Sequence, residues 1–200
     1  MVDIRKKAEE MGITIIEKEN YTDVRGAVFK KSDRWYVIVN SNDSEERKSF
    51  TIAHELAEII LNDNKKLSND AKHQMANLIA ANLLMPEDIF KNDILSNNDL
   101  YQLKDKYKNC SYEAIARRML KFLPYVLTIY DNKKMYIRMA SDSINFPSIP
   151  VEIENEVTEK CYQIKNCYEK DDDNLKIKGY YIDEGRGVER VILLTEILDV

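Results

Sequence analysis

One histidine and two glutamates lie close together in a short stretch of the sequence, and their types and spacing suit the binding of a metal ion. His54 and Glu58 are four residues apart, a spacing that puts both side chains on one face of an α-helix. Glu55 is turned about 100° from His54 and could take a proton from a water molecule at the metal. The stretch reads HExxE, whereas zinc peptidases usually have HExxH. Because the same residues also suit a charged, solvent-exposed helix face, both interpretations stay open.

The segments before this motif have the patterns of short β-strands. Three runs over 13–19, 24–30 and 34–40 have strand character. The residues KKSDR between the second and third runs suit a hairpin turn. A short helix before the first run would end at Gly12. These patterns predict a small sheet ahead of the helix that carries the motif.

The motif itself lies on a helix that the sequence predicts over roughly 45–62. Ser44 or Asp43 would cap the start of this helix. A second apolar helix is predicted over 70–85, and Pro86 would stop it. Apolar residues at helical spacing predict the buried stripe of the first helix: Phe50, Ala53, Ala57, Ile60 and Leu61.

The character of the chain changes at Pro124. From there a hairpin that turns at Asp131-Asn132 begins a small α+β unit, so we place a domain boundary near residue 124. The acidic run 169–173 is predicted to be a solvated loop. The other predicted elements are helices around 98–107, 111–122 and 151–166, and strands over 176–183 and 189–198.

The composition excludes several classes of function. Hydrophobic residues make up 44% and charged residues 32% of the 200 residues, which is typical of globular chains. The net charge is −5 and no stretch is densely basic, so direct binding to nucleic acid is not expected. No apolar run reaches signal-peptide or membrane-spanning length. The three cysteines form no CxxC pair, so neither a disulfide framework nor a cysteine-built zinc site is expected, and the predicted compartment is the cytoplasm.

Two sequence motifs resemble those of the ImmA/IrrE family of metallopeptidase-like proteins. The first reads RWYVIVNSNDSEERKSFTIAHELAEIIL and the second HQMANLIAANLLMP. Family members have a strand that ends in Asn, then RxxFTIAHELGH, then a helix of the form ExxANxFAxxLLMP. The matching residues are 37–40, 47–56 and 76–86, in the same order. The resemblance implies an α+β protein with a zincin-like metallopeptidase domain over 1–124, followed by a small α+β region over 125–200.

The resemblance also implies which residues hold the metal. In the family, the ligands are the two histidines of HExxH and the glutamate that opens ExxAN. These positions are His54, Glu58 and His73 in this sequence, and the general base is Glu55. Two of the three ligand positions are therefore exchanged reciprocally, so the set remains two imidazoles and one carboxylate, which suits zinc. Both histidines of the chain fall on mapped ligand positions.

The activity implied by the resemblance is that of a zinc-dependent endopeptidase with one bound zinc ion. Its partner and substrate would be a helix-turn-helix transcriptional repressor of a phage or mobile element, which the enzyme cleaves or inactivates. The alternative is a catalytically inactive protein-binding regulator of the same fold. A third interpretation is a small-molecule sensor built on the C-terminal region. The sequence leaves the substrate, the cleaved bond, the activating signal and the oligomeric state open.

Overall fold

The structure, a computed structural model, describes residues 2–19, 26–62 and 67–198. The chain divides into two compact units, of which the first ends at Ser111 and the second begins at Tyr112. Helices and two small sheets make up these units, so the predicted α+β class is confirmed. Over the described residues, every helix is too short or too polar to cross a lipid bilayer.

The first unit has a three-stranded sheet followed by four helices. Its elements in chain order are α1 (Ile4–Glu10), β1 (Ile13–Lys18), β2 (Gly26–Lys31), β3 (Arg34–Asn40), α2 (Glu45–Leu61), α3 (Asn69–Leu84), α4 (Glu87–Ser96) and α5 (Leu100–Lys106). The central strand β3 pairs in parallel with β1 and in antiparallel with β2. Ser32 and Asp33 form the β2–β3 turn with φ angles of 49° and 61°, the left-handed conformation that two-residue hairpin turns favour. The predicted hairpin is therefore present.

Helices α2 and α3 begin at serine caps and pack through small side chains. The hydroxyls of Ser44 and Ser68 each accept a hydrogen bond of 3.3 Å from a backbone amide in the first turn, which satisfies a donor that the helix leaves unpaired. Ala57, Leu61 and Ala76 are buried in one cluster where the two helices meet. Because alanine side chains are short, the two backbones approach closely, and polar side chains on the adjoining turns come within reach of each other.

The buried side of α2 differs from the predicted stripe. Phe50 and Ile60 are 39% and 53% exposed, so the prediction that they are buried is wrong. Ile52 and Leu56 are fully buried instead, because the sheet and α3 cover α2 from two directions. Apolar residues at helical spacing predict the buried residues of a helix that packs on one side only, and α2 packs on two.

Two further differences concern where elements begin. The strand predicted over 24–30 appears as β2 from Gly26, and residues 24 and 25 lie outside the described residues. Pro86 stops α3 as predicted, but it also stands at the start of α4, which the sequence patterns did not indicate. Proline suits this position because its fixed φ angle matches the entry into a helix and its missing N–H is not needed there.

The second unit is a five-stranded antiparallel sheet with a helix packed on it. Its elements are α6 (Tyr112–Met119), β4 (Tyr125–Asp131), β5 (Lys134–Ala140), α7 (Glu152–Ile164), β6 (Tyr168–Asp171), β7 (Leu175–Asp183) and β8 (Glu189–Ile197), and the strand order is β5-β4-β8-β7-β6. Val157 and Cys161 of α7 pack against Ile177 and Leu193 in a buried cluster. Glu154 of α7 also accepts two hydrogen bonds, of 3.1 and 2.9 Å, from the guanidinium of Arg138 on β5. These contacts hold α7 on the sheet.

The structure corrects two local predictions in this unit. The β4–β5 turn consists of Asn132 and Lys133, with φ angles of 48° and 67°, one residue later than predicted, because Asp131 still pairs in the sheet. The first three residues of the acidic run 169–173, which the sequence predicts to be a loop, belong to β6, and β6 pairs with β7.

Helix α6 lies in the second compact unit and contacts β4, whereas the sequence places it before the boundary at 124. The domain boundary at 124 stays a prediction.

Candidate metal centre

Three of the predicted site residues come together where α2 and α3 meet. His54 and Glu58 lie one turn apart on α2, and the distance from His54 Nε2 to Glu58 Oε1 is 3.2 Å. His73, near the start of α3, has its Nδ1 atom 3.7 Å from the same oxygen. One candidate ligand atom from each residue lies within 4.8 Å of the others. The helix spacing and the close packing of α2 on α3 therefore produce a compact cluster of metal-binding side chains.

The cluster fits a zinc ion. Zinc bonds of about 2.0–2.2 Å to nitrogen and carboxylate oxygen give about 3.4 Å between ligand atoms in a tetrahedral site. The two distances to Glu58 Oε1 lie on either side of this value. Two imidazoles and one carboxylate also match a common donor set of catalytic zinc sites, which leave a fourth position open for water or substrate.

The cluster is buried at one end and open at the other. The side chain of His54 is 11% exposed, that of Glu58 39% and that of His73 65%. The imidazole rings of His54 and His73 stand edge to face with centroids 4.7 Å apart. A molecule that arrives from solvent would therefore meet His73 and Glu58 before His54.

The buried end of the cluster contains an unpaired polar atom. Among the described residues, no partner hydrogen-bonds to Nδ1 of His54, which is fully buried. Zinc-binding imidazoles usually donate a hydrogen bond from the nitrogen that does not bind the metal, and that bond fixes the ring. The His54 ring contacts Glu58 through Nε2 and lies beside the rings of Phe50 and His73. Its orientation therefore depends on these contacts.

Glu55 lies in a different environment from the three candidate ligands. Its side chain is buried against the start of β2, close to Thr51 and to Gly26. Burial, and secondarily the negative charge of Glu58, raise the pKa of Glu55 from 4.5 to about 7. Both effects disfavour the charged carboxylate. A carboxyl group that titrates near neutral pH can both accept and release a proton, as a general base must.

We expect ionisation of Glu55 to destabilise the metal-free protein as the pH rises. Between pH 4.5 and about 7 the folded state retains a proton on Glu55 that the unfolded state has released. The free energy of unfolding therefore falls across this window, by at most about 3 kcal/mol, and levels off above it. Glu55→Gln cannot ionise, so its stability should rise relative to the parent as the pH increases.

Urea unfolding of both proteins in EDTA at several pH values from 4 to 8 measures this difference. Glu45→Gln serves as the control, because Glu45 lies on the same helix with its side chain 64% exposed. If the stability difference between Glu55→Gln and the parent stays constant with pH, Glu55 does not titrate in this window.

The structure thus brings His54, Glu58 and His73 together and puts Glu55 beside them on α2. Their roles as ligands and base stay predictions. Gly26 and Thr51 were not among the predicted site residues, and their positions next to Glu55 depend on how β2 packs on α2. The available signal was the glycine inside a strand-like run, which often marks a close approach of another element.

Comparisons with known proteins relate this architecture to one family. Residues 8–120 match the family model of the IrrE N-terminal-like domain, peptidase M78. Among solved structures, the chain is similar to a Mycobacterium tuberculosis transcriptional regulator, with 16% identity and a TM-score of 0.68 over 96% of this chain and 68% of that chain. At this identity the likeness concerns the fold alone. Comparison with curated proteins found no match.

Proposed function

The chain belongs to the family of the IrrE N-terminal-like domain, peptidase M78, and from this membership we propose that it is a zinc-dependent endopeptidase. Its substrate in this proposal is a helix-turn-helix transcriptional repressor of a phage or mobile element, which it cleaves or inactivates. The observation that carries the proposal is the cluster of His54, Glu58 and His73. This cluster retains the donor set of the family although two positions have exchanged residues.

In this proposal each site residue has a separate role. His54, Glu58 and His73 hold one zinc ion. When bound, zinc supplies Lewis acidity that activates a water molecule and polarises the peptide carbonyl. The Glu55 carboxylate takes a proton from the attacking water and then gives it to the nitrogen of the departing amine. In the metal-free protein burial raises the pKa of Glu55 to about 7, and a carboxylate with a raised pKa is a stronger base than an exposed one.

Two findings are compatible with a repressor as substrate. The family supports a metallopeptidase or a role related to regulators. The similar solved structure is that of a transcriptional regulator, which is compatible with a function in gene regulation. A protein substrate also suits a chain with a net charge of −5 and no basic stretch.

A proteolysis assay tests the proposal. The zinc-loaded protein is incubated with purified helix-turn-helix repressors from the same genome, and intact mass spectrometry follows the products. The proposal expects one new pair of fragments whose masses sum to the repressor plus one water. The same incubation with Glu55→Gln should leave the repressor intact. Cleavage by both proteins that EDTA abolishes would assign the proton transfer to a group other than Glu55, cleavage by both that persists in EDTA would indicate a contaminating protease, and cleavage by neither would contradict the proposed activity.

The rival function is a regulator that binds its partner and hydrolyses nothing. The observation that favours it is that Nδ1 of His54 has no hydrogen-bond partner among the described residues, whereas a zinc-binding ring is usually fixed by such a second hydrogen bond. A repressor that co-purifies with this protein but stays intact, in a preparation without bound zinc, would support this second function.

The absence of DNA binding is a further expected result. A gel-shift titration at low salt should show no tight binding of this protein alone to duplex DNA, because the net negative charge repels the phosphate backbone. The repressor alone, on its operator, is the positive control. Tight, salt-dependent binding by this protein would mean that it acts on DNA directly.

A further inference from the structure

Gly26, the first residue of β2, faces helix α2 with no space for a side chain. A Cβ atom built on Gly26 would lie 2.3 Å from Cγ2 of Thr51 and 2.9 Å from Oε1 of Glu55. Carbon atoms do not approach other non-bonded atoms this closely in folded proteins, so both neighbours or the backbone of β2 would have to move. The carboxylate of Glu55 thus lies close to the backbone of β2, in the space that a side chain at position 26 would need.

The other glycines show that this crowding is not general. Gly12, Gly185 and Gly187 have φ angles between 71° and 80° and open space around them, so they serve the backbone conformation. Gly179 of β7 is as crowded as Gly26, but its three nearest neighbours are Cys161, Val157 and Leu193 of the second unit. Gly26 alone among the five glycines contacts a residue of the candidate site.

We propose that Gly26 is a positioning residue for Glu55. Because Gly26 has no side chain, the space next to the start of β2 is free for the Glu55 carboxylate. The inference rests on the proposed function, because a general base needs a defined position. It also separates the base from the ligands, since the three atoms nearest to a Cβ at position 26 belong to Thr51, Glu55 and Ile38 and not to a candidate ligand. A side chain there should disturb the base and leave zinc binding intact.

The two contacts of the added Cβ differ in how easily they yield. Thr51 is buried and its methyl group is short, so the 2.3 Å contact disturbs packing. The Glu55 oxygen is the end of a flexible side chain and can move aside at lower cost. Gly26→Ala alone would therefore combine both effects, whereas Gly26→Ala with Thr51→Ala removes the methyl contact. The contact with Glu55 then remains the only one of the three nearest that is shorter than 3.0 Å, since the backbone oxygen of Ile38 lies 3.4 Å away.

The experiment compares the double variant with Thr51→Ala as its matched parent. We expect the double variant to bind zinc with a Kd within about threefold of that parent and to lose about 100-fold in kcat on the cleaved repressor, with KM nearly unchanged, because displacing a catalytic group by about 1 Å has such an effect. Gly179→Ala is the control for a crowded glycine elsewhere, and it should lower the melting temperature without lowering kcat. If the double variant hydrolyses the repressor at the rate of Thr51→Ala, the inference is wrong.

A measurement without activity separates this inference from the proposed function. In the Thr51→Ala background, we expect Gly26→Ala to raise the unfolding equilibrium constant about fivefold more when Glu55 is present than after Glu55→Ala, since contacting residues are coupled. If the protein cleaves nothing but this coupling is found, Gly26 still positions Glu55 and the proposed peptidase activity alone fails. Equal effects of Gly26→Ala with and without Glu55 would overturn the inference.

Discussion

Glu55→Gln is expected to abolish hydrolysis while the protein keeps its zinc. The amide has nearly the shape of the carboxyl group but cannot accept a proton from water, and general-base catalysis contributes about 100- to 10,000-fold. His54, Glu58 and His73 are untouched by the substitution, so zinc affinity should stay close to that of the parent. The measurements are kcat on the repressor substrate and the zinc Kd by competition with a chelating dye.

The controls for this prediction lie on the same helix. Glu45→Gln removes a carboxylate that is paired with Lys48 near the start of α2, and it should change neither kcat nor the zinc Kd. Cleavage by Glu55→Gln at the parent rate would assign the proton transfer to another group. Loss of zinc from Glu55→Gln would mean that Glu55 itself is a ligand.

The second large effect concerns the exchanged ligands. Glu58→Ala and His73→Ala should each weaken zinc binding at least about 100-fold, because even residues that only support a ligand contribute 10- to 100-fold and two remaining protein ligands hold zinc poorly. Gln74→Ala, a neighbouring exposed position on α3, should leave the zinc Kd unchanged. Titration of each metal-free variant with zinc against a chelating dye gives these constants.

Restoring the family arrangement of ligands tests whether the exchanged residues Glu58 and His73 form a working metal site. Glu58→His alone gives three imidazoles, and His73→Glu alone gives one imidazole and two carboxylates. The double variant returns to two imidazoles and one carboxylate, so we expect it to bind zinc at least as tightly as the parent. The two substitutions should therefore be coupled rather than additive. Additive effects, with both alanine variants unaffected, would mean that His73 is a surface histidine.

The residues near the motif could be predicted because local patterns determine them. The four-residue spacing of His54 and Glu58 dictates that they share a helix face. Of the two predicted caps of that helix, Asp43 and Ser44, the structure has Ser44. The approach of His73 from α3 depends on tertiary packing, and it was inferred through the family resemblance. The buried alanines Ala57 and Ala76 explain this approach, because their short side chains let α2 and α3 pack closely.

The remaining differences arise where tertiary contacts override local pattern. Phe50 has the spacing of a buried residue, yet it lies partly exposed beside the His54 ring. Tyr168–Asp171 is rich in charge, but pairing with β7 makes it an edge strand, because one face of such a strand can remain in solvent. The role of Gly26 could not be predicted from the sequence, because it depends on which residue of α2 lies opposite the glycine.

Zinc content is the most direct test of the proposed metal centre. The protein is treated with EDTA, incubated with excess zinc at neutral pH, freed of unbound metal by gel filtration, and analysed by inductively coupled plasma mass spectrometry. If His54, Glu58 and His73 form the site, the result is one zinc ion per chain, and His54→Ala prepared in the same way retains little or none. A parent protein that holds no zinc after this treatment would contradict the proposed site and the peptidase mechanism built on it.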